Sequence, residues 1–392
     1  MRPTFRPLRR SGAALVLPIA GWLFLADGHD DGLKAQGRSA APATPTAHVR
    51  STPENVVWGW FPIDRPPVLR IAPGSVVRID TLSQRGATQA EDPVTFFGAH
   101  GVTSDEVLAD VRDFWASRPG RPREGRGGHI LTGPIYVEGA VPGDTLAVEI
   151  LEVTTRVSYG MNSTTPAGGV FRPTYGAQSG DPLPDIPDRD TQHLIRTGDA
   201  NGRPVAFFSD RIHVPMGPFM GIMAVAPDNP AVGQPGVTVA GIQSSGPPGP
   251  YGGNLDFKDL KVGTTLYLPV FHAGALFYTG DPHGVQGDGE VSGNALEQSL
   301  SGVFRFTILK GKTIPGPRAE TATHYFLMGI DLDRATRKAV WETVDFLVKE
   351  KGLTPGKAFS LCSLAIDFHL AEVVDGTQVV VGKIPKSLFI DR

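Results

Sequence analysis

The chain has 392 residues, 40% of them hydrophobic, and a formal charge of −3. That supplies a full core for one large domain or two ordinary ones, and the charge gives no reason to expect nucleic acid or an anionic membrane as a partner. Its single cysteine, Cys362, excludes an intrachain disulfide.

Arg2, Arg6, Arg9 and Arg10 make a basic start, followed by an apolar run from Ala13 to Ala26 broken by Pro18. The run is shorter than the ~20 residues a spanning helix needs and fits the hydrophobic region of a secretory signal. Residues 1–26 are expected to be a signal peptide or, uncleaved, an N-terminal anchor. The protein is then exported, periplasmic or extracellular, or tethered to the membrane. Residues 27–52, rich in Ala, Pro, Thr and Ser, read as a linker, and residues 53–392 as the folded domain.

From about Val56 the chain reads as β structure, in keeping with its 48 glycines and 35 prolines. One pattern recurs at 72–79, 141–148 and 261–268: a turn glycine, then a strand with apolar residues on alternate positions. The recurrence predicts packed antiparallel sheets. Residues 163–203, without a clear period, are expected to be a long surface excursion. Residues 217–227 read as a buried strand with close backbone contacts. Asp333 to Lys351 is the clearest helix, striped by Ala335, Ala339, Val340, Val344 and Leu347 and stopped by Gly352. A second helix is predicted from Thr354, as N-cap, to Leu364, and a strand from Ile366 to Val373. The fold class is mainly β, with a small α/β segment near the C-terminus.

Zinc-helix, nucleophile-elbow, P-loop and dinucleotide signatures are missing. Cys362, flanked by Phe359, Leu361 and Leu364, reads as a buried thiol rather than a nucleophile. The most informative run is 280–290, a glycine-rich stretch carrying Asp281, His283, Asp288 and Glu290. Asn254 and Asp256 precede it, and His129 opens an earlier strand. Thr265–Val270 and Ala275–Tyr278 read as a strand pair flanked by these polar loops. Aspartates in glycine-rich loops often only cap turns, and Asp288-Gly289 alone would be a turn. As a group, imidazole and carboxylates suit zinc or a similar divalent ion that keeps an open position. Glu290 is a candidate general base if it is not a ligand.

These segments closely resemble the acetamidase/formamidase family. The matching stretches are His129–Gly133 through Gly139-Ala140 and Pro142-Gly143-Asp144, Pro247–Gly249 through Gly252–Asp256, Leu266–Val270, Gly274–His283 through Gln286–Val291, and Ser363–Asp367. The resemblance covers about residues 56–390. It implies an antiparallel β-sandwich-like body and hydrolysis of a small aliphatic amide, of the formamide or acetamide kind, to carboxylate and ammonia. It also implies a divalent metal, zinc foremost and calcium second. The site residues it implies are His129, Asn254, Asp256, Asp281, His283 and Glu290. Side-chain chemistry casts His283, Asp256, Asp281 and His129 as metal ligands, with Glu290 as base and Asn254 or a loop N–H as oxyanion donor. The expected partner is the amide substrate, and the expected assembly a homo-oligomer. Gln84-Arg85 departs from a His-Glu pair frequent in the family, and Tyr251 from a frequent His. A rival reading is an exported β-sandwich that binds a metal or small ligand without catalysis.

Overall fold

The three turn-to-strand repeats lead into a single sheet of the computed structural model. The structure describes residues 44–121, 127–165, 169, 171, 186–188, 190–234, 236–322, 325–327, 333–372 and 379–390. The leader, most of the linker and Val373 lie outside them. Gly74, Gly143 and Gly263 take φ of +89°, +92° and +89°, left-handed values that only glycine adopts at no steric cost. The strands they launch are Val76–Asp80, Thr145–Thr155 and Thr265–Pro269. These belong to a seven-stranded sheet in the order Ala47–Val49, Val76–Asp80, Leu300–Leu309, Thr145–Thr155, Thr265–Pro269, Arg318–Glu320, Tyr325–Leu327. All its pairings are antiparallel except the first. Ala47–Val49 falls inside the stretch read as linker. Three residues with one buried side chain, Val49, are too short to show a period.

A second sheet runs Gly252–Asn254, Phe219–Ala224, Phe277–His283, Ile130–Val137, Val56–Trp58, all antiparallel, with Leu69–Ile71 parallel alongside Ile130–Val137. Ile79, Leu146, Phe304 and Phe306 of the first sheet share one core with Leu131, Met220 and Phe277 of the second. The Phe277 and Phe306 rings meet edge to face at 5.1 Å. Each such side chain, fully buried, contributes about 1.5–3 kcal/mol. The two sheets thus form the expected sandwich.

A third sheet holds Tyr159–Thr164, Thr191–Ala200, Arg203–Ser209 and Ile212–Pro215, antiparallel in chain order. It corrects the surface excursion expected over 163–203 at 163–164 and 191–203, while most of 166–185 lies outside the described residues. Of Thr191–Ala200 only Ile195 is fully buried, so the strand leaves almost no apolar alternation. The helices Asp333–Lys351 and Pro355–Ala365 fall where predicted. Gly352, at φ +68°, ends the first, with the Leu353 N–H donating to the Leu347 carbonyl. Thr354 takes the N-cap position without a side-chain cap bond. Two unanticipated helices, Pro93–Gly98 and Ala109–Ser117, bury Phe97, Val111 and Phe114 against Val56 and Ile130.

Candidate active site

Asp281 and His283 are not loop residues. They end the strand Phe277–His283 and are buried, at 2% and 1% exposure. The loop begins only after His283. It leaves with Gly284 N–H donating to the Leu296 carbonyl and returns with Leu296 N–H donating to Val285. That return places Glu297 opposite His283 on one side and Met161 of the third sheet on the other. Glu290 sits within the excursion. The expected strand pair is also corrected: Thr265–Pro269 and Phe277–His283 lie in different sheets. Asn254 and Asp256 reach His283 instead across Phe219–Ala224, which pairs with both Gly252–Asn254 and Phe277–His283.

His283 is the centre. Its Nε2 lies 3.4 Å from Asp281 Oδ2 and 3.5 Å from Glu297 Oε1. Its Nδ1 lies 2.8 Å from Gln286 Oε1 and 3.9 Å from Asp256 Oδ1. His129 turns Nε2 toward Asp281 Oδ2 at 3.8 Å and places Nδ1 on Ser245 Oγ at 2.9 Å. Asn254 Nδ2 donates to Asp256 Oδ2 at 2.6 Å. Glu290 joins His283 and Glu297 in one group of possible ligand atoms, and Asp256, Asp281 and His283 form another, each within 4.8 Å. All six predicted residues therefore converge, His129 through Asp281 and Asn254 through Asp256.

Three participants escaped the sequence reading. Glu297 is 3% exposed, and Gln84 Nε2 donates to its Oε2 at 2.9 Å. Gln84 was singled out only as a departure from the family pattern. Gln286 was quoted in a motif without a role. Glu297 follows Ala295-Leu296 and looks like the start of a strand, so only its acidic side chain in an apolar context marked it. Tyr251 stands apart. Its ring packs edge to face on Phe61 at 5.4 Å and its hydroxyl donates to the Pro247 carbonyl at 2.8 Å.

Burial pushes the Asp256 carboxyl well up, with the charges of Glu290 and Asp281 adding to it. Burial likewise pushes Glu290 up to about 8, with Glu297 and Asp281 adding to it against the pull of His283. Burial would also raise Asp281, but the charges of His129 and His283 outweigh it and hold it low. For His283, burial is outweighed by Asp281 and Glu297, which raise it well above the ordinary imidazole range. Asp256, Asp281 and Glu290 have left-handed backbones, at φ 43°, 52° and 38°. Such positions cost about 1–3 kcal/mol each and persist where surrounding structure enforces them, commonly at functional sites.

The donor set fits a divalent cation. Asp256 Oδ1, Asp281 Oδ1 and His283 Nε2 are buried without a hydrogen-bond partner. Uncompensated buried charge is costly. Gly221 makes the room. A Cβ there would meet Asp256 Oδ1 at 2.5 Å, Asp281 Oδ2 at 2.9 Å and His283 Cε1 at 2.9 Å. A cavity of about 620 Å³ lined by Val153, Arg156, Thr197 and Met216 contains none of these groups.

The acetamidase/formamidase family model matches residues 123–235 and 237–391. The chain is 24% identical to the formamidase of Methylophilus methylotrophus over 371 residues, 81% of this chain and 84% of that protein. It superposes on the crystal structure of acetamidase from Bacillus halodurans with a TM-score of 0.52 at 28% identity, covering 86% of this chain and 95% of that one. A gamma lactamase from Delftia acidovorans shares the fold, with a TM-score of 0.61 at 20% identity over 86% and 90% of the two chains.

Proposed function

The chain belongs to the acetamidase/formamidase family and is an amidohydrolase acting on linear amides, and from that premise we propose that it hydrolyses small aliphatic amides of the formamide or acetamide kind with the help of a divalent cation. The products are carboxylate and ammonia. The observation that carries the reading is the Nε2 of buried His283, which has no hydrogen-bond partner and lies between the carboxylates of Asp281 and Glu297, beside the space left by Gly221. A single imidazole among carboxylates favours zinc, since calcium takes oxygen ligands; calcium is the second choice.

His283, Asp281 and Asp256 would hold the ion, with Glu297 completing the set and His129 steadying Asp281. When bound, a divalent ion supplies Lewis-acid chemistry, polarising an amide carbonyl and acidifying a water. Glu290 is less buried than Asp281 or Glu297. It takes the proton from the attacking water and delivers it to the departing nitrogen as the C–N bond breaks. Asn254 spends one N–H on Asp256; the other is assigned to the carbonyl oxygen, where such a donor contributes about 3–4 kcal/mol as negative charge develops.

Ammonia release from formamide and acetamide, with and without a chelator, tests this. Turnover should vanish on chelation and return with added zinc; full turnover after chelation rules out the cation. Export and homo-oligomerisation stand as companion proposals. The mature N-terminus by mass spectrometry tests the first, and light scattering of the purified protein the second.

A further inference from the structure

We propose that Gln286 is a positioning residue that selects which nitrogen of His283 faces the site. Its two ends are fixed by elementary hydrogen-bond logic. Gln286 Nε2 lies 2.7 Å from the Asp256 backbone carbonyl, which can only accept, so that end is the amide NH2. Oε1 therefore faces His283 Nδ1, at 2.8 Å, and can only accept. Nδ1 must then carry a proton, which leaves Nε2 as the nitrogen that can present a lone pair. Nε2 is the ring atom without a hydrogen-bond partner, and it points between Asp281 and Glu297. Both groups of possible ligands share this ring.

The same amide ties the ring to the loop behind it. Asp256 holds a left-handed φ of 43°, and its carbonyl is the acceptor that Gln286 occupies. Gln286 is itself 4% exposed, so water does not substitute for either bond without rearrangement. Ring nitrogen, ring orientation and the Asp256 backbone are thereby tied together by one neutral side chain. Partners of this kind commonly change metal affinity by about 10–100-fold when removed.

This inference rests on the cation-dependent reading above, and the experiment separates the two. Zinc affinity is measured by chelator competition for the wild type, Gln286→Met and Gln286→Glu, with ammonia release recorded alongside. Nitrogen-15 spectra of histidine-labelled, zinc-loaded wild type locate the His283 proton, its signals assigned by their loss in His283→Asn. The expected result is a proton on Nδ1 and zinc binding about 10–100-fold weaker in Gln286→Met, with the melting temperature of the chelated protein little changed. Gln286→Glu keeps the acceptor for Nδ1 but loses the donor to Asp256, and should fall between. A proton on Nε2, an unchanged affinity in Gln286→Met, or no zinc uptake by the wild type overturns the proposal. Normal zinc binding and tautomer without ammonia release overturns the amidase reading alone.

Discussion

Two buried acidic clusters among the described residues differ in a way that separates structure from chemistry. Asp80, 6% exposed, ends a strand of the first sheet. It accepts from Ser301 Oγ at 2.5 Å and meets His48 Nε2 at 2.8 Å, with Arg78 at 3.7 Å and Arg156 at 3.9 Å. Arg156 in turn pairs with Asp110 at 2.7 Å and donates to Ser51. Every negative charge there has a cation or a donor beside it. Around His283 four carboxylates share two imidazoles, His129 and His283. Among the described residues, none of Asp256, Asp281, Glu290 and Glu297 has a lysine or arginine within ion-pair distance. Satisfied buried charge is ordinary architecture; unsatisfied buried charge on strained backbone calls for an outside partner.

The sharpest way to break this contrast is to neutralise one carboxylate in each cluster. Glu290→Gln should lower kcat by about 10²–10⁴-fold while zinc content, measured on the purified protein, stays unchanged. Retention of wild-type kcat would move the base role to Glu297. Gly221→Ala pushes a methyl into the space between Asp256, Asp281 and His283. It should weaken zinc binding by about 10–100-fold in a chelator titration. Asp80→Asn should do the opposite: kcat within about twofold of wild type, but denaturant unfolding showing a loss of about 1.5–3 kcal/mol, as for other charged hydrogen bonds. A catalytic defect in Asp80→Asn with normal stability would erase the distinction.

The two clusters were unequally legible in the sequence. Asp281, His283 and Glu290 lie within ten positions on glycine-rich chain, so local composition marked them. The turn glycines at 74, 143 and 263 were legible because only a left-handed backbone demands glycine in such a repeat. Glu297 joins the site only because the excursion after His283 folds back on itself and pairs with Met161. That is a long-range event without local signature. The assignment of 280–290 to a loop holds only from Gly284 on: glycine and proline in Gly280-Asp281-Pro282 resemble a turn, yet two neighbouring strands hold them in register. Thr191–Ala200 was missed because a strand with polar residues on both faces has no period to detect.

Proton linkage offers a subtler contrast. Glu290 is raised from 4.5 to about 8 in the folded protein. Folding of the cation-free form therefore favours the protonated carboxyl. That contribution is complete below about 4.5 and is lost as the pH rises through about 8, because the unfolded chain then binds fewer protons than the native one. A cation beside Glu290 favours its ionised form, so cation affinity should rise with pH over the same window, with protons released on binding. Melting temperatures of chelated and zinc-loaded protein should accordingly separate as pH increases. Parallel curves would mean that Glu290 does not face the ion.

The smallest expected effect concerns Tyr251, the position where the family often has histidine. The site requires nothing of its hydroxyl, which is spent on the Pro247 carbonyl. Its ring is the surface on which Gly253 rests; a Cβ at 253 would meet Tyr251 Cε2 at 2.9 Å. Tyr251 thus props the strand Gly252–Asn254 from behind, and acts on Asn254 by packing rather than by charge. Tyr251→Phe keeps the ring and removes one hydrogen bond, so it should cost about 0.5–1.5 kcal/mol in denaturant unfolding and leave both kcat and KM for acetamide near wild type. If KM rises while stability is unchanged, the hydroxyl contacts substrate, and the boundary of the site must be redrawn to include the loop from Pro247 to Tyr251.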